Sequence, residues 1–126
     1  MVKYFIVIAL LFFQVTVKGV SILIPMQEEQ KNHLKSYGIA YWILERDVEV
    51  YWLLNYKGGS YMCQHHSSIE NECLIRGVDY KVIADVQSTA ILTEISDPEK
   101  NMDAVKLHKA PKIAVYSPKN KQPWDD

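Results

Sequence analysis

The chain opens on a nearly unbroken apolar run, Tyr4 to Phe13, and returns to comparable density only across residues 39–55. Between them, "SILIP" is a short apolar run stopped by Pro25 and predicts a first strand over residues 21–25. "MQEEQKNHLKSYG" follows, with acids early, Lys31 and Lys35 later and Gly38 positioned as a stop. That charge order predicts a helix over residues 27–37. Its apolar face is thin: Met26, His33, Leu34 and Tyr37. "IAYWILERDVEVYWLLNY" predicts two strands, 39–44 and 48–55, joined as a hairpin by Glu45, Arg46 and Asp47. In the second, Val48, Val50, Trp52 and Leu54 share one face and Glu49, Tyr51, Leu53 and Asn55 the other. "KGGS" reads as a turn and "YMCQ" as a third short strand.

The pattern then changes period. "SSIENECLIRG" predicts a helix with Ser67 and Glu70 as a capping box, Ile69 and Cys73 on one stripe, and Gly77 as a left-handed stop. Residues 78–84 read as a strand. Asp85 is placed to cap a helix through "VQSTAILTEI", which Asp97-Pro98 ends. "PEKNMDAVKLHKAP" is a connection without a clear pattern, and "KIAVY", residues 112–116, closes as a strand. Helix, strand, helix, strand predicts parallel pairing through a crossover. The expected fold class is therefore α/β: an N-terminal β-hairpin region followed by α-β-α-β with parallel strands, in an incomplete three-layer sheet.

Composition narrows the function. At 48% apolar and 23% charged, the chain has the makings of a folded core rather than disorder. A formal net charge of −1 and the lack of a basic reading motif argue against nucleic acid as a partner. The opening run, with Lys3 before it and Val17-Lys18-Gly19 after it, reads as a signal peptide cut after Gly19. The competing reading is an uncleaved anchor, but the run is short of the ~20 residues a span needs. The expected organisation is thus residues 1–19 as signal peptide and 20–126 as one folded segment, exported to a periplasmic or extracellular location, with no stable membrane insertion after cleavage.

Four groups of residues invite chemistry. Cys63, His65, His66 and Cys73 are all metal-ligand types, but their spacing matches no established zinc signature. In an exported chain the two cysteines also raise a disulfide. Cys63 with His65 suggests a nucleophile and base, yet "YMCQH" has no glycine-flanked strand-to-helix turn. Lys57-Gly58-Gly59-Ser60 lacks the following helix that a phosphate cradle needs. Tyr41, Trp42, Tyr51, Trp52, Tyr56 and Tyr61 form an aromatic set suited to cross-strand packing or to binding sugars or a partner surface. Asp125 and Asp126 suit a helix entry. No catalytic, cofactor-binding or metal-binding residue is assigned, and no cofactor or specific partner is implied.

Several blocks taken together, "HLKSYGIAYW", "WLLNYKGG", "ECLIRGV" and "KIAVYSPKNKQPWDD", resemble the N-terminal part of a family of exported bacterial proteins labelled asparagine synthetase B. The resemblance covers essentially all of the chain after Gly19. It implies a class I glutamine amidotransferase-like α/β architecture continuing past residue 126, with the last block as half of a βα unit and Ile113 or Val115 partly uncovered. It carries over no functional residue. Glutamine-using asparagine synthetases place a catalytic cysteine after the initiator methionine, where this chain has Val2, and their Ser-Gly-Gly-x-Asp-Ser loop does not occur here. The expectation is a truncated N-terminal segment without catalysis of its own. The alternative is an extracytoplasmic, non-enzymatic binding or interaction module using the aromatic hairpin.

Overall fold

The computed structural model describes residues 19–116. The predicted signal peptide, residues 1–19, lies outside the described residues except for Gly19, as does the whole of the Asp125-Asp126 pair. In chain order the elements are β1 (Val20–Ile24), α1 (His33–Leu44), β2 (Val50–Leu54), β3 (Ser60–Gln64), α2 (Ser67–Arg76), β4 (Lys81–Ala84), α3 (Asp85–Ile95), a 3₁₀ turn (Pro98–Lys100) and β5 (Asp103–Leu107).

The five strands form one sheet in the order β4-β1-β3-β2-β5. Every neighbouring pair is antiparallel, with Ile22 opposite both Cys63 and Val82, and Val50 opposite both Cys63 and Leu107. The first six elements, β1-α1-β2-β3-α2-β4 in sheet order 4-1-3-2, have the split-βαβ, ferredoxin-like connectivity. α3 and β5 are additions to it. The expected parallel α-β-α-β arrangement is thereby corrected. β4 lies beside β1 rather than beside a later strand, because β1 is apolar on both faces and takes an inner position: Ile22, Leu23 and Ile24 are all buried. β4 and β5 carry Lys81, Asp103 and Lys106 and lie at the edges, where charge blunts an unpaired strand.

The pleat divides the core in two. Ile22, Ile24, Val50, Tyr61 and Cys63 face α1 and α2, meeting Ile39, Ala40, Ile43, Leu44, Ile69 and Cys73. Leu23, Leu53, Met62 and Ile83 point to the other face, where α3 supplies Ile95 with Ile91 and Leu92 beside it.

The predicted helix over residues 27–37 and strand over residues 39–44 are both replaced by α1, within which Gly38 is an interior residue. Gln30 explains the late start. Its buried amide donates to the carbonyls of Pro25 (3.0 Å) and Asp79 (2.9 Å) and accepts from the Asp79 N–H (2.9 Å), which holds the chain before Asn32 in a turn. The Asn32 side chain then donates to the Gly77 carbonyl at 3.0 Å, tying the start of α1 to the end of α2.

α2 spans the predicted residues and ends at Gly77 with φ +68°, as its left-handed stop requires. Its cap differs: His66 is the N-cap and Ser67 the first helical residue, with no side-chain cap hydrogen bond. At α3 the N-cap is Ala84 rather than Asp85, and Gln87 Oε1 accepts from the Ala84 N–H at 3.0 Å. Residues 112–116 are not a strand. β5 already occupies the edge beside β2, and Ile113, Val115 and Tyr116 are 72%, 87% and 87% exposed.

Candidate functional site

The four metal-ligand types of residues 63–73 are divided among different environments. Cys63, on β3, and Cys73, on α2, are free thiols inside the larger core. Burial pushes Cys63 up to about 12, with Cys73 adding to the effect, and pushes Cys73 up to about 11. Such thiols stay protonated, so neither is an activated nucleophile. His65 is turned away to Glu70, with Nε2 and Oε2 2.8 Å apart, and His66 is exposed at the start of α2. Among the described residues, no three His, Cys, Asp or Glu side chains come together as a metal set would.

Glu70 is shared. Its Oε1 accepts from the Tyr80 hydroxyl at 2.8 Å while Oε2 meets His65. The His65 and Tyr80 hydrogen bonds hold the Glu70 carboxyl below the usual carboxylate range, and the bond to Glu70 raises the Tyr80 phenol. The chain of three clasps the end of β3 and the first turn of α2 to the residue before β4.

The aromatic set is also dispersed, because residues 39–44 are helical. Tyr41 and Trp42 ride on α1, where the Arg46 guanidinium lies 3.4 Å from the Trp42 ring centroid. Only Trp52 and Tyr61 stack, with centroids 6.3 Å apart and planes at 20°. Tyr37, absent from the predicted set, meets Tyr61 edge-on at 6.0 Å. Tyr61 is buried, whereas Trp52 and Tyr37 remain 37% and 51% exposed.

The most developed concavity among the described residues takes Cys63, His66 and Tyr51 from these motifs, but most of its lining belongs to none of them. α3 covers the sheet over Leu23, Leu53, Met62 and Ile83. The same sheet face continues past it as Ser21, Tyr51 and Gln64, and this open end is a cleft of about 530 Å³. That volume is in the range of small-molecule sites, roughly 300–1,000 Å³. Asp47, Val48 and Glu49 form one wall, His66 stands at the far rim, and Ser88 and Leu92 of α3 close a side.

Charge in the cleft is organised from β5. Glu49 takes Lys106 Nζ at 2.9 Å and His108 Nδ1 at 3.0 Å. Those two hydrogen bonds, Lys106 first, hold its carboxyl below the usual range, and Glu49 in turn raises Lys106. Lys106 also lies 5.7 Å from the Tyr51 ring centroid. Asp47 adopts the left-handed region at φ +59°, a conformation that Asp tolerates better than most residues. The cleft escaped the sequence reading because its lining comes from four separate stretches of chain, around residues 21, 47–51, 62–66 and 88–92. The one local signal was Glu49 alternating with Tyr51 on the mixed face of β2.

No helix among the described residues is long and apolar enough to cross a membrane. No protein-family model, curated protein or solved structure matches this chain.

Proposed function

We propose that this chain is a non-enzymatic binding module of an exported protein, and that the cleft between the start of β2, the end of β3 and α3 is its ligand site. The observation that carries the reading is convergence. Groups from β1, the α1–β2 connection, β2, β3, the cap of α2 and α3 meet in one concavity, with Val48, Met62 and Leu92 as its apolar contacts. A mostly apolar concavity with a few converging polar groups is the usual form of a small-molecule site. The nucleophile candidate raised from the sequence, Cys63, is held with Cys73 as a buried neutral thiol, which favours binding over covalent chemistry.

The test is a fragment screen on the ¹⁵N-labelled chain, followed through backbone amide shifts. The reading expects the hits to perturb amides at residues 47–51 and 62–66 saturably. Hits scattered over the surface, or concentrated elsewhere, would contradict it.

A second reading rests on Tyr37 and Trp52, which are exposed while fixed against a buried Tyr61. Rings held this way lose little side-chain freedom on binding and suit a protein interface. The resemblance in sequence to the asparagine synthetase B-labelled family supports a related proposal, that the module is the non-catalytic N-terminal part of a longer exported protein. The reading frame beyond codon 126 decides that point. A continuing frame that encodes an amphipathic helix supports it, and a stop codon contradicts it.

A further inference from the structure

We infer that the cleft takes a small organic cation, an amine carried on a compact apolar body. The inference rests on the cleft being a ligand site and adds the chemistry of what fills it. Asp47 and Glu49 are its acids, and among the described residues no lysine or arginine lines it. Glu49 is already engaged by Lys106 and His108 and serves as a fixed part of the wall. Asp47 is different: its carboxylate has no hydrogen-bond or ion-pair partner among the described residues.

The nearest cation in sequence does not neutralise it. Arg46 is folded back onto Trp42, over the ring at 3.4 Å and donating from Nη1 to the Trp42 carbonyl at 3.0 Å. Asp47 also follows the carbonyl end of α1, its N–H bonded to the Leu44 carbonyl at 3.1 Å, and the last turn of α1 contains no basic residue. The negative end of the helix dipole therefore adds to the Asp47 charge. Beside this anionic wall, Met62, Leu92 and the ring of Tyr51 offer contact to an apolar body. Ser21 and Gln64 add hydrogen-bonding groups that carry no charge.

Three probes of one shape separate charge from shape: benzylamine, benzyl alcohol and phenylacetate, titrated into the ¹⁵N-labelled full chain at about pH 8, where an ordinary imidazole is neutral. Benzylamine is expected to shift amides at residues 47–51 and 62–64 saturably and to bind roughly tenfold tighter than benzyl alcohol. Phenylacetate is expected to be the weakest. Asp47→Asn keeps a residue that accepts the left-handed backbone and should reduce benzylamine to about the affinity of benzyl alcohol, leaving benzyl alcohol unchanged. If benzyl alcohol binds in the cleft as tightly as benzylamine, or if Asp47→Asn leaves benzylamine unaffected, the cation inference falls while the ligand-site reading survives. Phenylacetate binding tightest would also overturn it. If none of the three binds, the inference falls, and the ligand-site reading stands or falls on the fragment screen.

Discussion

Gly38→Ala separates the observed fold from the simplest reading of the sequence by the sign of its effect. If Gly38 ended a helix in the left-handed conformation, alanine there would cost about 1 kcal/mol. In the structure Gly38 is an interior residue of α1, where alanine is preferred over glycine by about 1 kcal/mol. The space allows it: an added Cβ would meet only Arg76 Nη1, at 3.4 Å. The Arg76 guanidinium is anchored through Nε to Glu72 at 2.7 Å, so its far tip can shift at small cost. The expected net gain is roughly 0.5–1 kcal/mol, a few degrees in Tm for a domain of this size. Gly77→Ala is the paired control, because Gly77 has φ +68° and should lose about 1 kcal/mol. Urea unfolding followed by far-ultraviolet circular dichroism measures both, with an unchanged m-value confirming that the same transition is compared. Gly38→Ala losing stability alongside Gly77→Ala would refute the placement of α1.

Three further outcomes follow from the same structure. With thiols at about 12 and about 11, Cys63 and Cys73 should resist iodoacetamide at about pH 8 in the native state and react readily in denaturant; fast native labelling of either would contradict their burial. Glu70 titrates below its unfolded value in the folded chain, so its stabilisation is complete above the ordinary carboxylate range and is lost as pH falls through the depressed folded value. The stability gap between wild type and Glu70→Gln should accordingly shrink toward acid pH, and a gap independent of pH would remove the His65–Glu70–Tyr80 clasp as its cause. Gly58→Ala should destabilise by more than 1 kcal/mol, roughly, since φ is +77° and the new Cβ would meet the Met26 carbonyl oxygen at 2.5 Å; a neutral result in urea unfolding would contradict the close approach of that turn to the end of β1.

Some single-residue signals were read well, while Gly38 as a stop and Ser67 and Asp85 as caps were not. Gly77 stops α2, Asp97-Pro98 closes α3, and the glycines of the β2–β3 turn adopt φ of +77° and +88°. Local signals failed where tertiary context overrides propensity. "IAYWIL" is β-branched and aromatic and favours a strand, yet Ile39, Ala40, Ile43 and Leu44 bury one helical stripe against the sheet. Strand order was illegible for another reason. An alternation of helices and strands is equally consistent with parallel neighbours and with a split βαβ unit, in which another strand comes between, and here β1 lies between β3 and β4. The expected exposure of Ile113 and Val115 is present, but on irregular chain rather than on a strand. The cleft required the tertiary structure, because Ser21, Asp47, Gln64 and Ser88 become neighbours only once the sheet is assembled.

Filling the cleft is the most direct test of the functional account. Ser21 lies on the cleft floor, on the same sheet face as Gln64 and Ile83, and is only partly buried. Ser21→Trp puts an indole into that space. Isothermal titration of the tightest cleft-binding fragment into wild type and Ser21→Trp, with amide shifts outside the cleft confirming a common fold, should show binding to the first and none to the second. Equal binding to both proteins would mean that the ligand lies elsewhere and that the cleft is not the site.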